Sequence, residues 1–266
     1  MIGYWRLLRS RSRLIRILNG YLREPYYRVL ETVLRRGAYI RLPSGDRFRI
    51  HPRFLGMNLG YYEPELVKKF CAIVKEGMTV VDVGAHVGIY SLIASRKVGP
   101  EGRVIAVEAS PANATLLRRH LAINHCTNVE VVEAAISDRN GEIEFNYRPN
   151  PTDPGAFANS IAYDISGKRA IVPMRQLDEV CCAISPGLVK VDIEGAELLA
   201  MRGASGLLRT HRPTVIVAVH PEPMKTLHTM PRQLIEFMRA FGYHALDLDG
   251  RLIDDAGFEE VIFTPQ

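Results

Sequence analysis

The chain has 266 residues, 47% of them hydrophobic, enough to bury a sizeable core in one or two domains. Cys71, Cys126, Cys181 and Cys182 form no Cys-x-x-Cys pair and the eight histidines no His-x-x-x-His pair, which argues against a disulfide scaffold or a zinc site and for a reducing, cytoplasmic setting with no metal. The net charge of +5 is uneven: the first 53 residues hold 13 arginines against three acids, an excess of ten, so the other 213 carry −5; no run of about 18 apolar residues marks a spanning helix, and no apolar core a signal peptide.

Residues 4–18 place Leu7, Leu8, Leu14, Ile15 and Leu18 at roughly helical spacing among arginines, a basic amphipathic helix. Such a helix lies on an anionic membrane or packs on its own domain or a neighbour; peripheral membrane contact through residues 1–20 and packing weigh equally. Nucleic acid is not expected, since no aromatic stacking pattern or RNA-binding motif accompanies the arginines. Tyr39–Leu42 and Arg47–Ile50 flank Pro43-Ser44-Gly45-Asp46 and predict a β-hairpin covering one edge of the domain after it. Pro64 opens a helix that ends at Gly77. Residues 1–60 therefore read as an N-terminal extension and 61–266 as the main domain.

Strand and helix signals then alternate. Strand 79–83 precedes a helix near 87–97; strand 103–108 precedes a helix over about 112–123, opened by Ser110-Pro111; strand 129–133 leads to Ala135-Ile136. An insert comes next, with strands at 142–147 and 170–174 and a loop over 148–160 that is a candidate lid. Strand 187–192, a short helix from Gly195 to Gly203, strand 214–219, helix 231–241 and strands near 243–248 and 259–264 close the chain. This order predicts an α/β, Rossmann-like fold, a mostly parallel sheet of about seven strands with helices on both faces.

Asp82, Glu108, Asp192 and His220 each close an apolar strand, and ligands of such sheets bind outside the carboxyl ends of the strands. The first turn has Gly84 and Gly88 but no middle glycine, so it provides poorly for a pyrophosphate. Gly84 serves the turn and Gly88 close helix packing in any reading. Glu108 lies 24 residues past Gly84, near the spacing at which an acid meets ribose hydroxyls. Asp192, Glu194 and Glu197 crowd one strand-to-helix junction; the helix N-terminus accounts for Glu197, whereas Asp192 at the strand tip suits a site. These residues also admit a nicotinamide-dependent oxidoreductase, which the missing glycine disfavours, or a non-catalytic binding protein on the same fold.

The runs Val81–Gly88, Val107-Glu108-Ala109-Ser110-Pro111, Leu177-Asp178-Glu179 and above all Lys190-Val191-Asp192-Ile193-Glu194-Gly195-Ala196-Glu197 resemble the FkbM family of class I S-adenosylmethionine-dependent methyltransferases, over about residues 60–242. Two positions depart from it: His86 stands where Asn is frequent, and Ala218-Val219 where an acid commonly precedes the His220-Pro221 position. The resemblance implies S-adenosylmethionine as cofactor, met by Asp82, Gly84, Ala85, His86 and Gly88, with the ribose on Glu108 beside Ala109 and adenine flanked by Ala135 and Ile136. It implies O-methylation of a hydroxyl on a sugar, a glycan or glycolipid, or a polyketide-like acceptor, with Asp192, Glu194 and His220 as unranked candidates for the base or for orienting the hydroxyl. Asp192 and Glu194 would be the pair to hold Mg²⁺ if a metal assisted.

Overall fold

A computed structural model of the chain describes residues 25–56, 58–149, 167–254 and 260–266. The amphipathic segment 4–18 and most of the loop 148–160 lie outside the described residues. Residues 25–33 are helical and lead into a two-stranded antiparallel sheet of β1 (Ala38–Arg41) and β2 (Arg47–Ile50). After the hairpin come α1 (Pro64–Ile73), β3 (Thr79–Val83), α2 (Ile89–Val98), β4 (Arg103–Val107), α3 (Pro111–Ile123) and β5 (Val129–Val132). Next are β6 (Ala135–Ile136), β7 (Gly141–Tyr147), β8 (Lys168–Arg175), α4 (Leu177–Val180), β9 (Leu188–Val191), α5 (Glu197–Arg202) and α6 (Ser205–Thr210). The chain ends with β10 (Thr214–Ala218), α7 (Pro221–Thr226), α8 (Pro231–Ala240), β11 (Tyr243–Leu246) and β12 (Glu260–Pro265).

Seven strands form the central sheet in the order β11-β12-β10-β9-β3-β4-β5. β10, β9, β3, β4 and β5 are mutually parallel, and β12 runs antiparallel to β10 and β11 on either side of it. The dinucleotide-binding sheet, with order 3-2-1-4-5-6, has no such intruding strand. Apart from the neighbouring Asp82 and Lys190, the central strands are apolar on both faces, as expected where helices cover both. Val81, Val83, Val189, Val191 and Val217 face the layer of α5, α6 and α8, while Val80, Val104, Leu188 and Ile216 face α1, α2 and α3.

The hairpin, expected to cover one edge of the following domain, covers it at α3 and not along the central sheet. It stays a separate two-stranded sheet and lies on α3, sending Phe48 and Ile50 into the same apolar cluster as Leu117 and Val104. The reason lies in polar side chains on α3 that mimic a pairing strand. Asn124 accepts from the Arg49 N–H at 2.8 Å and donates to its carbonyl at 2.7 Å. His120, fully buried, accepts the His51 N–H on Nε2 at 2.8 Å and meets the Val87 carbonyl through Nδ1 at 2.8 Å. Burial lowers the His120 pKa to about 4, which keeps the imidazole neutral for this double role. The 135–136, 141–147 and 168–175 segments form their own sheet, β6-β8-β7.

Candidate active site

Two loops meet at the carboxyl edge of the sheet. The first runs from β3 to α2. Gly84 has φ 78°, and a Cβ there would sit 1.9 Å from the Asp192 carbonyl oxygen, so only glycine lets this loop touch the loop after β9. A Cβ on Gly88, at φ 91°, would fall 2.4 Å from Leu117 Cδ1; this glycine seats α2 against α3. The N–H groups of Gly84 and Ala85 both donate to the Val107 carbonyl at 2.9 Å, that of Gly88 donates to Ala85 at 2.8 Å, and that of His86 donates to Glu108 Oε2 at 2.7 Å. A phosphate cradle needs such amides turned outward. Here they are engaged by the protein itself.

Glu108 follows β4 and is 5% exposed. Besides the His86 N–H it accepts from the Ser110 N–H at 2.8 Å and the Asn113 side-chain amide at 3.3 Å, both on Oε1. Ser110 caps α3, which fixes both donors to the start of that helix. Burial pushes the Glu108 carboxyl up to about 7, against the opposing pull of these donors. An ionised carboxylate offers about four acceptor positions, so roughly one on Oε2 is left for a ligand hydroxyl.

Asp82 lies one residue inside β3 rather than at its tip, and its side chain points toward α2, where Ser91 Oγ donates to Oδ2 at 2.6 Å. It is 1% exposed and Oδ1 has no hydrogen-bond partner among the described residues. Burial raises its pKa, with the Lys190 ammonium and Ser91 opposing. Lys190 is its neighbour in register on β9.

The second loop, from β9 to α5, carries most of the charge. Lys190 is buried, donates to Asp192 Oδ2 at 3.0 Å and lies 4.4 Å from the centre of the Tyr90 ring, whose hydroxyl donates to Glu63 Oε2 at 2.7 Å. Burial alone would lower the Lys190 pKa; the charges of Asp192, Asp82 and Glu63 outweigh it and raise it. Burial would likewise raise Asp192, but Lys190 and His220 hold its carboxyl below the usual range. His220, from the end of β10, reaches the same place. Its Nδ1 is 2.8 Å from Glu197 Oε1, and its Nε2 is 3.8 Å from Asp192 Oδ1 and 3.7 Å from Glu194 Oε1. Burial works to lower the His220 pKa, yet the Glu197 hydrogen bond and the three carboxylates raise it to about 9.

The structure thus brings Asp192, Glu194 and His220 together, and sets Asp82 behind them and Glu108 across the β3 loop. Glu197, explained from sequence as a helix-end acid, does accept the Gly195 N–H at 2.9 Å, but the same oxygen also orients His220. Ala135 and Ile136, expected to flank adenine, point to opposite faces, as successive strand residues do. Ala135 joins Phe145, Val172 and Ala109 in a small cluster near Glu108, whereas Ile136 is buried in the main core. Tyr90, Ser91 and Glu63 carry no sequence signal for the site, and Lys190 stands in the resembling run without a role assigned to it. The readable signal for Lys190 was a lysine at the third place of the apolar strand Leu-Val-Lys-Val. Among the described residues no group of three or more His, Cys, Asp and Glu side chains is arranged to hold a metal ion.

The donor set fits a cationic, hydroxyl-bearing cofactor. Asp82 Oδ1, Asn113 Oδ1 and Glu197 Oε2 are buried acceptors without donors among the described residues, and all three belong to residues of this edge. Acceptors left so are costly until a donor arrives.

The Methyltransferase FkbM domain profile matches residues 82–245. The chain is 27% identical over 156 residues to "Methyltransferase sdnD" of Sordaria araneosa, covering 47% of this chain and 59% of that protein. It is 29% identical over 127 residues to a "Protein-L-isoaspartate O-methyltransferase" of Methanothrix thermoacetophila, covering 46% and 59%. In both cases the match spans less than two thirds of the relative's length. A crystal structure of "Methyltransferase FkbM" from Methylobacillus flagellatus KT superposes with a TM-score of 0.44 at 18% identity, covering 90% of this chain and 58% of that one.

Proposed function

We propose that this chain, which belongs to the FkbM methyltransferase family, transfers the methyl group of S-adenosylmethionine to a hydroxyl of a sugar, glycolipid or polyketide-like acceptor. The observation that supports the reading best is His220, turned by Glu197 so that Nε2 faces Asp192, Glu194 and the open edge.

Bound S-adenosylmethionine supplies a methyl on a positively charged sulfur, an activated leaving arrangement that needs no further chemistry from the protein. Glu108, Asp82 and the backbone carbonyls between Gly84 and His86, whose N–H groups are already engaged, are the groups that would hold it. The chain's own part is to place the acceptor and take its proton. An alcohol attacks weakly while it keeps its proton, and a positioned base contributes roughly 10²–10⁴-fold. Glu197 keeps His220 Nδ1 as the donor, so Nε2 is the nitrogen that receives the hydroxyl proton as the O–CH₃ bond forms. Its raised pKa means that His220 starts out protonated at neutral pH, and Asp192 and Glu194 then serve as acceptors that orient the hydroxyl.

The test is transfer of a labelled methyl group into a panel of hydroxylated glycans, glycolipids and macrolides. kcat/KM should climb as pH rises toward about 9, and His220→Gln should lose about 10²–10⁴-fold. Label that enters no hydroxyl, or a His220→Gln rate equal to wild type, overturns the proposal.

A further inference from the structure

Residues 25–33 form a helix that sends Tyr27 inward with the half-buried Leu30 and Glu31, and carries an apolar stripe on its outward side beside the exposed Arg28 and Thr32. Tyr27 and Glu31, one turn apart, turn inward: Arg53 lies 5.6 Å from the Tyr27 ring centre and donates to Glu31 at 2.6 Å. On the other side Tyr26, Val29 and Val33 recur at i, i+3 and i+7 and are 58%, 61% and 72% exposed. Tyr39, 55% exposed on β1, continues the same stretch of chain, so residues 26–39 hold four of the nine large hydrophobic side chains exposed among the described residues. Single exposed apolar residues need no explanation, but a stripe at helical spacing does.

The charge around the stripe is of one sign. Tyr39 stands opposite Arg49 in the hairpin register, with the guanidinium carbons of Arg49 and Arg47 4.7 and 5.0 Å from its ring centre. Arg28, Arg35, Arg36 and Arg41 are also exposed, whereas the hairpin's Asp46 is engaged by Arg96. Apolar side chains that project among arginines match a bilayer interface with anionic headgroups, where chains enter the acyl boundary and guanidinium groups meet phosphate. Nucleic acid has no use for the two valines, and a second copy would set arginine against arginine.

We propose that the outer face of residues 25–33 and the outward face of the β1–β2 hairpin form a docking surface for anionic lipid bilayers. The surface is tied to the site by one element. α3, 13 residues and about 20 Å long, grips the hairpin through His120 in its last turn and Asn124 just past its end, and supports Glu108 through Ser110 and Asn113 at its start. Docking therefore sets the orientation of the carboxyl edge relative to the membrane, as a lipid-linked hydroxyl acceptor requires. The docking itself does not depend on methyl transfer.

The experiment is cosedimentation of the full chain with vesicles of phosphatidylcholine alone and of equal parts phosphatidylcholine and phosphatidylglycerol. The chain should bind the anionic vesicles, release as salt rises, and bind the neutral ones at least tenfold more weakly. Val29→Glu/Val33→Glu and, separately, Arg47→Gln/Arg49→Gln should each reduce binding by about tenfold or more, at roughly fivefold per arginine, with unchanged thermal unfolding and unchanged affinity for S-adenosylmethionine. Equal binding to both vesicle types overturns the proposal. So does wild-type binding by both double variants, a Val29→Glu/Val33→Glu variant that only converts a dimer to a monomer, or preferential capture of nucleic acid.

Discussion

The two loops that meet at the carboxyl edge are built on opposite principles. In the β3–α2 loop the backbone does the work: glycines touch the neighbouring loop and α3, amides bond inward, and Glu108 is held on three sides by main-chain and amide donors. In the β9–α5 loop the side chains do it, with Lys190 and His220 set among Asp192, Glu194 and Glu197. A glycine motif here reports how the chain packs, while the charged junction reports what it can do. Under the proposed function the first loop holds the cofactor and the second meets the acceptor, with ionisable groups near enough to shift one another.

The largest expected effect breaks the contact between the loops. Gly84→Ala places a methyl in the Asp192 carbonyl at a positive φ, and should destabilise the protein by more than about 4 kcal/mol in urea unfolding. A loss below about 1 kcal/mol would mean that the loops separate easily. Next comes the charge that underlies the second loop. Lys190→Met leaves Asp82 and Asp192 without their buried cation and should cost about 3–5 kcal/mol, and adding Asp82→Asn should recover part of it. No recovery would show that Asp82 does not feel Lys190.

A smaller effect belongs to Glu108. Its carboxyl takes a proton more readily folded, with a pKa of about 7, than at its ordinary 4.5. The folded chain therefore binds more protons between those values, and this group's contribution to stability falls as pH rises through that window. Glu108→Gln should remove a slope worth about 3 kcal/mol at most, seen as a flatter dependence of unfolding free energy on pH. An unchanged slope would place the titration elsewhere.

Much of the fold was legible because long apolar strands and capped helices leave strong local patterns. β3 matches its predicted span, and Ser110-Pro111 opens α3 as expected. The short helices α4, α6 and α7, of four to six residues, are too brief to show a helical period, whereas the equally short α5 is legible from the glycines at 195 and 203 that bracket it. The sequence predicts β12 as a strand, but its insertion against the direction of β10 is a long-range fact that no local pattern carries. At the site, acids at strand ends could be read, since their spacing along the chain is their signal. The Lys190–Tyr90–Glu63 contacts join residues far apart in sequence, so only the folded chain shows that the acids share a buried cation.

The division of labour between the loops is tested most directly by calorimetric titration of S-adenosylmethionine into the wild-type protein, Glu108→Ala and His220→Gln. Glu108→Ala should bind about 1.5–3 kcal/mol more weakly, the scale of a hydrogen bond to a charged group, while His220→Gln stays within about 0.5 kcal/mol of wild type. Unchanged binding in Glu108→Ala, or an equal loss in His220→Gln, would contradict it.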